Sequence, residues 1–174
     1  NKMKKLLFLI LVFTPFFVFS QGGLKNEIKW LTLDEAKVLA KKYDSKVLIF
    51  FYKKNCPYCD KMKKETLTDP DVIKFINNNF FAVKIDSRNK DTIIYNNIAY
   101  GNQQPESSGR HDWRHDFYAE VAAFNVNGSS QVTTPSIVIF NSNFEKINCD
   151  CPHGALPGNQ PKPLLLRNLN RFLN

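Results

Sequence analysis

Hydrophobic positions change period several times along the chain, and each change marks an element. Ala36, Leu39, Ala40 and Tyr43 recur at helical spacing behind Thr32-Leu33-Asp34-Glu35. A Thr followed three residues later by Glu is a capping box, so an amphipathic helix is expected over 33–43. Val47-Leu48-Ile49-Phe50-Phe51-Tyr52 is a continuous apolar run, short and rich in β-branched and aromatic residues, as in a strand buried on both faces. Lys53-Lys54-Asn55 leads from it into Cys56-Pro57-Tyr58-Cys59, and a helix is expected through 61–65. Asp69-Pro70-Asp71 places an N-cap and a first-turn proline before Val72, Phe75 and Ile76, the buried side of a second helix. Residues 80–86 read as a second strand.

The stretch 87–114 is polar and irregular, with a short hairpin expected near Ile93–Tyr100. A helix over 115–124, a loop over 128–134 and strands over 135–140 and 145–149 follow. Four prolines and two glycines make 150–163 a loop. Leu165, Leu166, Leu169, Phe172 and Leu173 give the last helix, 164–173, its apolar side. Strands alternating with helices, then an antiparallel pair, predict an α/β fold with a central mixed sheet and helices on both faces. No internal repeat is visible.

The first twenty residues follow a different rule. Lys2, Lys4 and Lys5 precede an apolar run from Leu6 to Phe19, interrupted at Thr14-Pro15 and ending at Ser20-Gln21-Gly22-Gly23. Basic, apolar and small-polar segments in that order form a secretory signal peptide. The apolar stretch is shorter than the roughly twenty residues of a spanning helix. Residues 1–20 are therefore expected to be cleaved, leaving 21–174 as one domain, periplasmic or otherwise exported, with an insert at about 87–131 and no stable membrane span. The net charge of +8 includes the three signal lysines, leaving +5 spread through the helical segments. That distribution suits a solvated basic surface and not nucleic-acid binding.

All four cysteines, Cys56, Cys59, Cys149 and Cys151, fall after the signal. Two close pairs suit local redox centres better than a stapling framework, because a staple gains most by closing a long loop. Thiol–disulfide exchange needs a thiolate, and a Cys at the start of a helix meets unpaired N–H groups that stabilise the anion. Cys56 has that position, Pro57 favours the helix start, and Cys59 lies within one turn, where it can resolve a mixed disulfide. Lys53 and Lys54 add positive charge. A bare Cys-x-x-Cys can also be half a zinc site, but no second clear ligand pair completes one, and the strand before the motif and the helix after it favour redox chemistry. Thr134-Pro135, directly before a strand, is a candidate cis bond that would set the Thr134 backbone beside the cysteines.

The strand VLIFFY, the motif CPYC, the segment LTDPDVIKFINNNFFAVKID and the later TTPSIVIF together resemble the thioredoxin superfamily, over about residues 30–148. They look most like exported bacterial thioredoxin-like proteins with an insert before the proline loop; HDFYAEVAAF is similar to the helix such proteins place there. The resemblance implies a thioredoxin fold, a nucleophilic Cys56, a resolving Cys59 and a cis Pro135. Asn55 stands where thioredoxins proper usually have Trp, and the Pro57-Tyr58 pair is glutaredoxin-like without a legible glutathione site. Both departures leave the direction of electron flow open.

The expected activity is dithiol–disulfide exchange on exported proteins, with no bound cofactor or metal and with a second redox protein as electron partner. Pro57, Tyr58, Thr134 and Pro135 are the expected substrate contacts. Two further readings compete: a copper or zinc chaperone, and a non-catalytic adaptor using the insert. Cys149 and Cys151 form a second redox pair, a local disulfide or, with His153, a soft-metal site. His111 and His115, either side of Trp113, read as solvated loop residues.

Overall fold

The computed structural model describes residues 26–102, 114–148 and 155–173. The expected signal peptide, His111, Trp113 and both members of the Cys149/Cys151 pair lie outside these residues.

Five strands form the sheet, in the order β1 (Trp30–Leu31), β3 (Phe80–Asp86), β2 (Lys46–Tyr52), β8 (Ser136–Phe140) and β9 (Leu156–Pro157). The first three run parallel, and β8 and β9 are antiparallel additions. Alternation along β2 divides the core. Leu48 and Phe50 face one layer with Val72, Ile73 and Ile76 of α3 (Pro70–Asn79) and Leu165 and Leu169 of α5 (Lys162–Asn170). Val47, Ile49 and Phe51 face the other, with Ala36 and Ala40 of α1 (Leu33–Tyr43) and Phe117, Tyr118 and Val121 of α4 (Asp116–Val121). A strand buried on both faces needs apolar residues at every position, which is why β2 shows no alternation in sequence.

The expected caps form. The Thr32 hydroxyl accepts from Glu35 N at 3.3 Å, and Glu35 Oε2 returns a bond to Thr32 N at 2.9 Å. The Thr32 hydroxyl, donating to Glu35 Oε2 at 2.7 Å, and then the Thr32 N–H hold the Glu35 carboxyl below its ordinary value. Asp69 accepts from Asp71 N and Val72 N, and Lys162 at the start of α5 clamps its carboxylate at 3.0 Å and that of Asp71 at 2.6 Å.

Several expectations change. The helix after the cysteines is α2 (Pro57–Lys61) continued by a π-helical turn, Met62–Thr66, closed by Leu67 N donating to Met62 O at 2.9 Å. The helix expected to reach residue 124 stops at Val121, and the expected loop at 128–134 is instead half of a hairpin, β6 (Phe124–Val126) and β7 (Ser129–Gln131). Its turn is Asn127-Gly128, with φ of 50° and 81°. Positive φ at both turn residues matches the strand twist, and Asn-Gly is the sequence signal for such a turn. The hairpin expected near 93–100 forms as β4 (Ile93–Tyr95) and β5 (Ile98–Tyr100) around Asn96-Asn97, both also at positive φ.

Over its described residues, 145–148, the strand expected at 145–149 is reduced to one bridge, Lys146 to Phe140, with Ile147 N donating to Ile139 O and Asn141 N donating to Glu145 O. The β8 edge beyond it pairs with β9, out of the stretch read as a loop. The last helix begins two residues early, at Lys162.

Candidate active site

Cys56 and Cys59 sit where β2 ends, at the carboxyl ends of the parallel strands, where open α/β sheets place their sites. Asn55, at φ 56°, turns the chain out of the strand, a conformation Asn accepts more readily than most residues. Cys56 is the N-cap of α2, Pro57 its first residue, and Cys59 lies inside it. The two cysteines are joined as a disulfide. Cys59 N–H points at Cys56 Sγ, 3.2 Å away. Cys59 has no exposed surface and Cys56 keeps 3%, on the wall of a cleft of about 390 Å³.

The Thr134–Pro135 bond is cis. Cys56 Sγ lies 3.6 Å from the Thr134 carbonyl oxygen and 3.9 Å from its hydroxyl. Behind this loop, Gly158 N donates to Pro135 O at 2.8 Å, so β9 braces it. Pro57 and Tyr58 line the cleft, Tyr58 being 66% exposed, whereas Pro135, also expected as a substrate contact, is buried and does not line it. Lys53 lines it too, whereas Lys54 does not.

The other walls were missed by sequence reading. Ser87 and Arg88 directly follow β3, and Arg114 and Tyr118 come from the start of α4. Ser87 and Arg88 carried a signal, because the residues after two neighbouring parallel strands must share one end of the sheet. Arg114 and Tyr118 reach the cleft from across the long insert and carried none. Tyr118 is buried and its ring lies 5.0 Å from that of Phe51. Burial pushes its hydroxyl up from the ordinary tyrosine value, with Arg114 pulling weakly the other way.

His115 corrects the reading of it as a solvated residue: it is 1% exposed. Its Nδ1 accepts from Phe117 N at 3.1 Å, capping α4, which leaves Nε2 as the N–H facing Asp91 O at 2.8 Å. Its backbone N–H donates to Ser87 O at 2.7 Å, tying α4 to the cleft wall. Asp86 holds the turn after β3 by accepting from Arg88 N at 2.9 Å. Among the described residues no group of three or more His, Cys, Asp or Glu side chains is placed to hold a metal ion.

The site is thus a cysteine pair at a strand-to-helix junction, packed against a cis-proline loop. The family model described as the thioredoxin-like domain matches residues 33–167. The chain belongs to the thioredoxin-like domain family. Its fold is similar to that of a thioredoxin from Thermus thermophilus, at 20% identity and a TM-score of 0.53, covering 84% of this chain and 88% of that one. Fainter likenesses are to a DsbH oxidoreductase (17% identity, 69% of each chain, TM-score 0.45) and a disulphide isomerase from Xylella fastidiosa Temecula1 (20%, 66% of each, TM-score 0.40). No curated protein matches the chain. Among the described residues no helix is long and apolar enough to cross a membrane.

Proposed function

We propose that this protein is a thiol–disulfide oxidoreductase that acts on exported proteins through the Cys56–Cys59 couple. The observation that carries the reading is the disulfide itself, with Cys56 on the cleft wall and Cys59 sealed behind it. A substrate sulfur entering the cleft meets Cys56 first, which makes Cys56 the attacked or attacking sulfur and Cys59 the resolving one.

From the oxidised state, a substrate thiolate attacks Cys56 Sγ. The Cys56–Cys59 bond breaks, and its electron pair leaves on Cys59. A second substrate thiolate then displaces Cys56, so the substrate gains a disulfide and the protein is left as a dithiol; every step runs in reverse for a reductase. The Cys59 N–H aimed at Cys56 Sγ favours the thiolate over the thiol in the reduced protein. Thr134 offers a backbone carbonyl and a hydroxyl beside the sulfur to an extended substrate chain, with Pro57 and Tyr58 shaping the approach and the cis Pro135 bond holding Thr134 in place. The disulfide carries the electrons without a bound cofactor, and a partner redox protein exchanges them with it. Export rests on the order of Lys2–Lys5, the apolar run and Ser20. The domain then spans 21–174, with 87–131 as its insert.

Equilibration of the protein with defined thiol–disulfide buffers tests the reading. A reversible two-electron couple that disappears in Cys56→Ser is expected, and Cys59→Ser is expected to trap substrates as mixed disulfides on Cys56. A potential near about −270 mV makes the protein a reductant and one near about −120 mV an oxidant. The absence of any reversible couple would sink the reading.

A further inference from the structure

Three cations from three separate segments converge on the cleft. Lys53 follows β2, Arg88 follows β3 and Arg114 precedes α4. Among the described residues no Asp or Glu lines the cleft, and none forms an ion pair with these three side chains. Of the carboxylates close by in sequence, Asp60 pairs with Lys63 at 2.8 Å and Asp86 accepts the Arg88 backbone N–H, while Asp116, two residues after Arg114, does not line the cleft. Arg88 and Arg114 are exposed, so both guanidinium groups are free to turn toward an incoming chain. The remaining polar wall, including Asn55, Ser87 and Thr133, is neutral.

The geometry points to a substrate preference: the cleft selects polypeptides whose reacting cysteine has Asp or Glu within one or two residues. This rests on the oxidoreductase reading above. The substrate sulfur meets Cys56, and the flanking carboxylate meets Arg88 and Arg114, whose planar forks match a carboxylate. The reason lies in the charge that exchange creates. Forming the mixed disulfide consumes one thiolate and releases another, so a negative sulfur stands in the cleft before and after the step. A carboxylate next to a thiolate is a like-charge pair and is disfavoured. Three cations lining the cleft that Cys56 also lines offset that repulsion, and the same cations repel a substrate with Lys or Arg beside its cysteine. A polypeptide is the fitting class because the cleft opens beside the exposed Tyr58 ring and the Thr133–Thr134 segment, leaving room for residues on both sides of the cysteine.

The test uses three synthetic peptides, each with one intramolecular disulfide, differing only in whether Glu, Gln or Lys flanks the first cysteine. Exchange with the protein is followed by acid quench and chromatography in both directions, reduced protein with peptide disulfide and oxidised protein with peptide dithiol. Each rate is divided by that with dithiothreitol, reduced or oxidised, which removes the flank's effect on the peptide's own thiols. We expect a normalised Glu-to-Lys rate ratio of about tenfold at low salt, falling to about twofold in half-molar sodium chloride. The pair Arg88→Gln with Arg114→Gln is expected to bring the ratio to about one, Arg88→Lys with Arg114→Lys to keep most of it, and the distant Lys41→Gln to leave it whole. Equal normalised rates for all three peptides, with exchange intact, overturn the preference and leave the oxidoreductase reading standing. No exchange with any peptide in either direction overturns both.

Discussion

One face of the sheet is closed by α3 and α5 with mainly aliphatic side chains; the other is closed by α1 with Ala36 and Ala40, and by α4 and the β4–β5 hairpin largely with rings. On the first face each covering helix carries its own amphipathic pattern and docks as a unit. On the second, Tyr95, Phe117, Phe140 and Phe144 come from four segments and meet as a cluster. Tyr95 stands edge-on to Phe117, Phe140 and Phe144 at 5.5, 5.8 and 5.9 Å, and Phe140 stacks on Phe144 at 4.5 Å. The first face shows how local pattern builds a layer, and the second how scattered residues build one only together. The cleft lies at the seam: Met62, just after the cysteines, belongs to the aliphatic layer, and Tyr118 to the aromatic one.

The largest expected effect falls on the ring cluster. Phe117→Ala should cost about 3–5 kcal/mol, and Leu165→Ala, on the other face, about 2–5 kcal/mol, both read from urea midpoints. Phe117 should stand at the top of its range, because its ring touches Phe51, Tyr95, Tyr100, Phe140 and Phe144. The two losses should add in the double variant, the sites being on opposite faces. A larger cost for Leu165→Ala would break the contrast.

Next comes His115→Ala, expected to cost about 1–3 kcal/mol by leaving Phe117 N and Asp91 O without their partner. Since α4 also carries Tyr118 into the cleft, exchange should slow at the same time; a destabilised variant with undiminished exchange would separate the aromatic face from the site. Thr32→Ala removes a cap from one helix and should cost about 1 kcal/mol, with exchange kinetics unchanged.

The smallest effect is confined to high pH. Folded Tyr118 holds its proton more tightly than an unfolded tyrosine, whose value is near 10. The stability this group contributes is therefore complete below pH 10 and is lost as the pH rises above it. The melting temperature should fall more steeply above that pH in the wild type than in Tyr118→Phe. Parallel falls would mean that Tyr118 ionises without disturbing the aromatic layer.

What is legible in sequence follows the same division. Thr32-x-x-Glu35, Asp69-Pro70 and the run Val47–Tyr52 act through neighbours in the chain, so α1, α3 and β2 could be read directly. The Asn127-Gly128 turn was equally local, and the β6–β7 hairpin could have been read from it. The edge of β8 could not. Lys146 and Leu156 each pair with part of it, and which segment takes which stretch is a competition between distant parts of the chain.

Of the site, the sequence by itself determined the chemistry: Cys56 and Cys59 one turn apart, after a buried strand, with Thr134-Pro135 before another. Spacing and residue type suffice for that, because the motif is held by bonds and caps a few residues long. Only the tertiary structure decided which cysteine faces the cleft, that His115 is a buried cap and that Arg88 and Arg114 line the same cleft as Cys56. Charge in a cleft is a sum over segments that meet in space, and no local pattern records it.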